Sequence, residues 1–407
     1  MTRVITKNPE INHGTNFKNN ITVPVHNWYS YLEGFAWNFV KKTLTELPKK
    51  DDFTVLDPFC GSGTTLVESG FMGLKSIGYD INPFLTFVSK IKTDLQFDLR
   101  ATESEMSKLQ HNLKEFQIKK NSWSEDLKLS ELYANDRVFS PKVLPKVLFV
   151  KRLLNNIPNQ QIHDFFVLAF CSILIEISNY RRGPDLAYKR IKHDDYPVLQ
   201  RFLEKIQRMV DDLKSIDISR LKKPEIFNED SRHLKNTPDN AVDCVITSPP
   251  YLNGTNYFRN TKLELWFTGM LTNADELHQF REKTITAGIN DVFKSKNKES
   301  SISEVKTIVT EINKTAYDQR IPQMISTYFE EISECFTTLY RTMRDNGRCY
   351  WVIGDSAFSK ILIPTDRITV SIAENAGFKH IKTEITRQRK SRSGLGLHEA
   401  VVILEKK

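Results

Sequence analysis

The first clear pattern of apolar positions is Phe53–Leu56, a short run with a β-branched centre that closes at Asp57. Gly61-Ser62-Gly63 and a helix-like stretch follow, so strand, turn and helix are expected in that order. A second unit comes at once: Lys75–Tyr79 reads as a strand closed by Asp80, with Asn82 and Pro83 opening the next helix. Two βα units this close together imply a parallel sheet. From about Leu99 to Lys222 the pattern is helical, with amphipathic or apolar segments at Val147–Asn155 and Asp164–Ser178, a stretch far too long for a loop. Strand signals return at Glu225–Asn228, Val242–Thr247 and Arg348–Ile353, each ending at polar or turn residues. Thr383–Arg387 and Ala400–Glu405 read as two last strands joined by a basic, glycine-containing link, hence a terminal hairpin. Between Asn253 and Arg344 lies a second, charged and mostly helical insertion, in which Lys294–Ser301 is expected to be a mobile loop.

The expected fold is therefore α/β and Rossmann-like, a mostly parallel sheet with a C-terminal antiparallel hairpin and a large helical insertion. The expected divisions are a flexible lead-in over 1–20, a nucleotide-type half over 21–98, the helical insertion over 99–222, and a second half over 223–407 that carries the charged insertion at about 253–344. Ligands of such sheets sit beyond the carboxyl ends of the strands, so Asp57, Asp80, Asp230, Ser248 and Asp355 should share one edge.

Composition changes this picture little. The 40% apolar and 27% charged content is ordinary for a globular chain, and the sequence shows no run of about 18 apolar residues, so no membrane partner is expected. Met1–Asn20 lacks the apolar core of a secretory signal, which makes a cytoplasmic location the expectation. The five cysteines are scattered, with no paired spacing and no zinc-ligand cluster, so reduced thiols and no metal are expected. A net charge of +8 with a pI near 9 suits a polyanionic partner.

The turn after the first strand narrows the ligand. Gly61 and Gly63 remove side chains where backbone must approach a ligand, and amides there can donate from the start of the following helix. Taken alone, such a turn is equally a tight corner with no ligand. Asp80, about 20 residues on at the end of the next strand, stands where an acidic side chain accepts the hydroxyls of a ribose. The third glycine of a dinucleotide fingerprint is missing, and no Gly-Lys-Ser/Thr follows to make a P-loop. Residues Asp57 to Thr65 (DPFCGSGTT) and Ile77 to Pro83 (IGYDINP) resemble the cofactor motifs of the amino-methyltransferase group of DNA methyltransferases. That resemblance implies a methyltransferase sheet and S-adenosylmethionine as cofactor. It places Asp57, Pro58, Phe59, Gly61, Gly63 and Thr64 in the cofactor turn and Asp80 on the ribose. Val25–Phe35 is similar to the segment that closes over the cofactor, through Trp28 and Tyr29; it reads equally well as aromatic packing on the sheet. Asp230 resembles the acidic residue near the adenine, and a solvated loop aspartate would look the same.

The most specific feature is Ser248-Pro249-Pro250-Tyr251 at the end of Val242–Thr247. Two prolines after a strand make a rigid elbow without amide donors, which leaves a carbonyl pointing into the site. The lone pair of a base's exocyclic amine is delocalised into the ring. Hydrogen bonds from that amine to Ser248 Oγ and the Pro249 carbonyl would draw it toward tetrahedral geometry and aim it at a methyl donor. Tyr251 offers a face on which an extruded base stacks. Serine ahead of the prolines implies, by the resemblance, cytosine N4 as acceptor in duplex DNA. Adenine N6 and RNA amines stay open as alternatives. Carbon-5 methylation needs a Pro-Cys nucleophile, and the chain contains no such dipeptide. The resemblance also implies the modification half of a restriction-modification system, with a cognate endonuclease acting separately. For target recognition the candidates are Arg181, Arg182, Lys189 and Arg190 in the basic, aromatic stretch Ser178–Lys192, and Asn253 and Asn256 just past the elbow. A solvated basic helix end would read the same way.

Overall fold

The computed structural model describes residues 17–31, 34–118, 138–183, 186–191, 194–252, 257–391 and 393–407. Helix α1 (Trp37–Glu46) leads into β1 (Thr54–Asp57), α2 (Thr64–Phe71), β2 (Lys75–Tyr79) and α3 (Pro83–Thr93). All four residues of β1 are buried, the mark of a central parallel strand covered on both faces. Val55 packs with Val40 and Leu44 of α1 on one side, and Leu56 joins the core on the other, as the two-residue period of a strand requires. Helix α3 starts where the sequence demands it: Asn82 Oδ1 accepts from Phe84 N at 3.0 Å, and Pro83 occupies the first turn.

The insertion then forms α4 (Leu99–Ile118), α5 (Leu144–Leu154), α6 (Gln160–Ile177), a two-residue ribbon β3 (Tyr180–Arg181) with β4 (Ala187–Tyr188), and α7 (Val198–Ser215). The ribbon interrupts a stretch expected to be wholly helical. In α7 the buried residues Val198, Phe202, Ile206, Met209 and Leu213 recur every three or four positions, a single apolar stripe turned toward α6. Helix α6 is long and apolar enough to cross a membrane by length and composition, a feature the run of residues did not reveal. Here it is the core helix of the insertion, packed among α3, α5, α7 and a later helix.

The chain returns to the sheet through β5 (Glu225–Phe227) and β6 (Val242–Thr247). The charged insertion follows as α8 (Tyr257–Asn260), α9 (Lys262–Phe267), α10 (Ala274–Lys283), α11 (Ser303–Asn313) and α12 (Arg320–Thr342). Lys294–Ser301, expected to be a mobile loop, lies against α12. Lys298 N donates to Thr327 Oγ1 at 3.2 Å and Ser300 N to Ser326 Oγ at 2.6 Å, so polar side chains of α12 satisfy its backbone. The last elements are β7 (Met343–Gly354), the small pair β8 (Ser356–Phe358) and β9 (Ile361–Ile363), α13 (Thr365–Asn375), β10 (Phe378–Lys390) and β11 (Gly396–Lys406).

Seven strands form one sheet in the order β10-β11-β7-β6-β1-β2-β5. The pairs from β7 to β5 are parallel, and β11 runs antiparallel to both β7 and β10. This is the expected Rossmann-like arrangement with its terminal hairpin. The hairpin strands are longer than the apolar pattern marked, because polar residues on their open face hide the period. Asp57 ends β1, and Asp80, Ser248 and Asp355 directly follow β2, β6 and β7, so the topology sets all four along one edge.

Candidate active site

The turn after β1 is built around a buried carboxylate. Thr247 Oγ1 donates to Asp57 Oδ1 at 2.7 Å and Phe59 N donates to the same oxygen at 3.1 Å. The last residue of β6 is thereby tied to the last residue of β1, which fixes the serine-proline elbow against the glycine turn. Burial pushes the Asp57 carboxyl up to about 6, with the bonds from Thr247, Thr65 and Phe59 pulling the other way. Gly61 and Gly63 take φ of +50° and +83°. A Cβ on Gly63 would meet Ser89 Oγ at 2.9 Å, so that glycine serves the close packing of α3. A Cβ on Gly61 would stand 3.1 Å from the Tyr31 ring, inside the cavity.

Asp80 is held by two backbone amides: Gly61 N donates to Oδ2 at 2.9 Å and Asn82 N to Oδ1 at 2.8 Å. Burial raises its carboxyl to about 7 in spite of those donors. Asp230 lies across the same cavity. Burial works against its ionised form, yet the guanidinium of Arg232, which bonds both carboxylate oxygens, holds it below the usual carboxylate range. Arg232 in turn reaches Glu331 of α12 at 2.6 Å, which leaves Asp230 little freedom.

The cavity runs from Asp80, Ser62 and Thr64 to Ser248, Pro249, Pro250 and Tyr251. The elbow is braced from behind, since Tyr328 of α12 donates its hydroxyl to the Pro250 carbonyl at 3.0 Å. One continuous space thus joins Asp80 and the glycine turn to the Ser248–Tyr251 elbow.

Several expected residues stand elsewhere. Trp28 and Tyr29 are off the cavity wall, 0% and 1% exposed. The Trp28 indole donates to Asp212 at 2.9 Å and the Tyr29 hydroxyl to Glu264 at 2.9 Å, so both pin the segment to α7 and α9. The same segment does reach the cavity, through Tyr31, Gly34 and Phe35. Asp57, Pro58 and Gly63 shape the turn from beneath it, whereas Phe59, Gly61 and Thr64 line it. Arg182 points inward: it bonds the Ser30 carbonyl, the Tyr29 hydroxyl and Glu264. Lys189 donates to the carbonyls of Ile175, Glu176 and Ser178 and so caps α6. Arg181 and Arg190 are exposed, and Asn253 and Asn256 lie outside the described residues.

Other wall residues carried no local signal. Phe258 faces the elbow from α8, and Arg387, Arg389 and Glu399 enter from the terminal hairpin. The sequence reading also missed a three-residue group at the β7–β11 corner. His398 Nδ1 lies 2.7 Å from Asp355 Oδ2 and its Nε2 3.0 Å from Asp366 Oδ2. Those two carboxylates raise the imidazole to about 9, which makes it a cation bridging them. All five cysteines are buried free thiols, as their spacing suggested.

Sheet, turn and elbow together make a Rossmann-like α/β fold with one cavity at the carboxyl edge of its strands. Residues 36–89 match the family model described as "DNA methylase". The chain is similar to the type II methyltransferase M.BsoBI of Geobacillus stearothermophilus, 26% identical across 94% of this chain and 86% of that protein. It is also similar to the type II methyltransferase M.MvaI of Kocuria varians, 24% identical across 83% of this chain and 78% of that one. Among solved structures it resembles a SAM-dependent methyltransferase from Methanosarcina mazei, 9% identical with a TM-score of 0.31 over 88% and 94% of the two chains. The family match and the two relatives support a methyltransferase whose methyl donor is S-adenosylmethionine.

Proposed function

We propose that this chain methylates duplex DNA on the exocyclic N4 of a cytosine turned out of the helix, as the modification enzyme of a restriction-modification system. The observation that carries the reading is the single cavity in which Asp80 and the glycine turn face the Ser248–Tyr251 elbow, with the Thr247–Asp57 bond fixing one against the other. Its relatives are named as type II methyltransferases, and the net charge of +8 suits DNA. Exposed Arg181 and Arg190 would meet phosphates.

The residues present fit S-adenosylmethionine: Asp80, on the cavity wall, would accept the ribose hydroxyls, and glycine at 61 avoids a Cβ that would crowd the Tyr31 ring on the same wall. When bound, that cofactor would supply an electrophilic methyl on a sulfonium, the S–C bonding pair remaining with sulfur as a neutral thioether. Ser248 Oγ and the Pro249 carbonyl accept the amine hydrogens and localise its lone pair. Tyr251 stacks on the base. The Pro250 carbonyl is already engaged by Tyr328 and serves only to hold the elbow. After transfer the amine sheds one proton, for which the same acceptors offer the first exit.

Incubation with labelled cofactor tests this. Wild-type protein should place label in duplex DNA, and Ser248→Ala should lose transfer by about a hundredfold or more while binding cofactor as before, because Ser248 acts on the base. Label entering RNA and never DNA would overturn the substrate. A large loss of cofactor affinity in the variant would overturn the division of roles.

A further inference from the structure

Extruding a base is not enough for selective transfer, because its ring must also be held by the edge beside the amine. On cytosine that edge carries the N4 amine, then two acceptors, N3 and O2. On adenine it carries the N6 amine, one acceptor at N1, and then a carbon-bound hydrogen. A donor pair beside the elbow would therefore tell the two bases apart.

Such a donor stands there. Arg389, near the end of β10, lines the cavity, and its Nη2 donates to the Asp355 carbonyl at 2.9 Å. That peptide is itself anchored: the Asp355 side chain is 1% exposed and bound by His398. A Cβ on Gly354 would lie 3.5 Å from Arg389 Nη2 and 3.2 Å from Tyr251 Cε2, so the guanidinium and the tyrosine ring share the room that a side chain would fill. A planar fork of five N–H donors with no acceptor, fixed beside the stacking ring, matches a base edge with two acceptors.

We propose that Arg389 is a specificity-determining residue that reads N3 and O2 of the flipped cytosine while Ser248 and Pro249 take its amine. The inference rests on the cytosine assignment above. Adenine in the same place meets the fork with a C–H where cytosine offers O2, and so loses one of the two hydrogen bonds. The rival role for the same guanidinium is a contact to a backbone phosphate, for which charge alone suffices.

The two roles separate in a binding measurement with the full chain and S-adenosylhomocysteine. The duplexes carry the site at which wild-type protein deposits label, with either cytosine or an abasic sugar at the target position. Arg389→Ala should weaken binding to the cytosine duplex about tenfold or more and leave the abasic duplex within about twofold of wild type. Arg389→Lys should behave like the alanine variant, since an ammonium cannot span two acceptors. Equal losses on both duplexes, a flatter salt dependence and rescue by lysine would overturn the inference in favour of a phosphate contact. Unchanged binding to both duplexes would remove Arg389 from recognition altogether. Label found on adenine in the wild-type product would sink the cytosine assignment first, before any variant is made, and this inference with it.

Discussion

Asp80 shows how much a single side chain can settle. Its carboxyl is raised by burial to about 7, yet the ribose hydroxyls it is proposed to accept favour the ionised form. Cofactor affinity should therefore rise with pH through about 7 and weaken below it. Calorimetric titration of wild type and Asp80→Asn across that window checks the point: the variant should lose about 1.5 to 3 kcal/mol above pH 7 and show a flat profile. A sloping profile in the variant would assign the proton to another group. The places of Asp80 and Ser248 at the sheet edge were legible in the chain because each directly follows a strand signal, Lys75–Tyr79 and Val242–Thr247. Trp28 and Tyr29 were not. An aromatic pair reads alike whether it faces a ligand or a core, and here Asp212 and Glu264, far off in sequence, decide the matter.

At the scale of elements the β3–β4 ribbon divides its basic residues between two tasks. Lys189 caps α6 through three carbonyls, whereas Arg190 next to it is exposed. Lys189→Met should cost about 1 to 3 kcal/mol of stability by denaturant unfolding. Arg181→Gln with Arg190→Gln should leave stability alone but weaken binding to all DNA sequences and flatten its salt dependence. The opposite pattern would exchange the two roles. Sequence could not make this division, since a basic run carries no mark of which side chain folds back onto a helix end.

The β7–β11 corner carries a pH dependence of the other sign. His398 has its imidazole raised from 6.5 to about 9 by Asp355 and Asp366, so it gains stability that is complete below pH 6.5 and lost as pH rises through about 9. Melting temperatures of wild type should fall across that window more than those of His398→Gln. Parallel falls would mean that the ion pairs contribute nothing measurable.

For the whole molecule, a mostly parallel sheet with a terminal hairpin was legible because the signals of β1, β2, β5 and β6 are short and close on polar or turn residues, whereas the strand order comes only from the pairing. The Arg387, Arg389 and Glu399 wall was not, because β10 shows mixed burial along an open face and its register comes only from pairing with β11. The two halves of the site lie far apart in sequence, and the Thr247–Asp57 bond joins them at the centre of the sheet. That junction fixes the glycine turn against the serine-proline elbow, as the proposed transfer requires. The reaction product tests this most directly. Duplex DNA methylated with labelled S-adenosylmethionine, digested to nucleosides and resolved by chromatography and mass, should yield N4-methylcytosine. N6-methyladenine as the sole labelled nucleoside would contradict the assigned base.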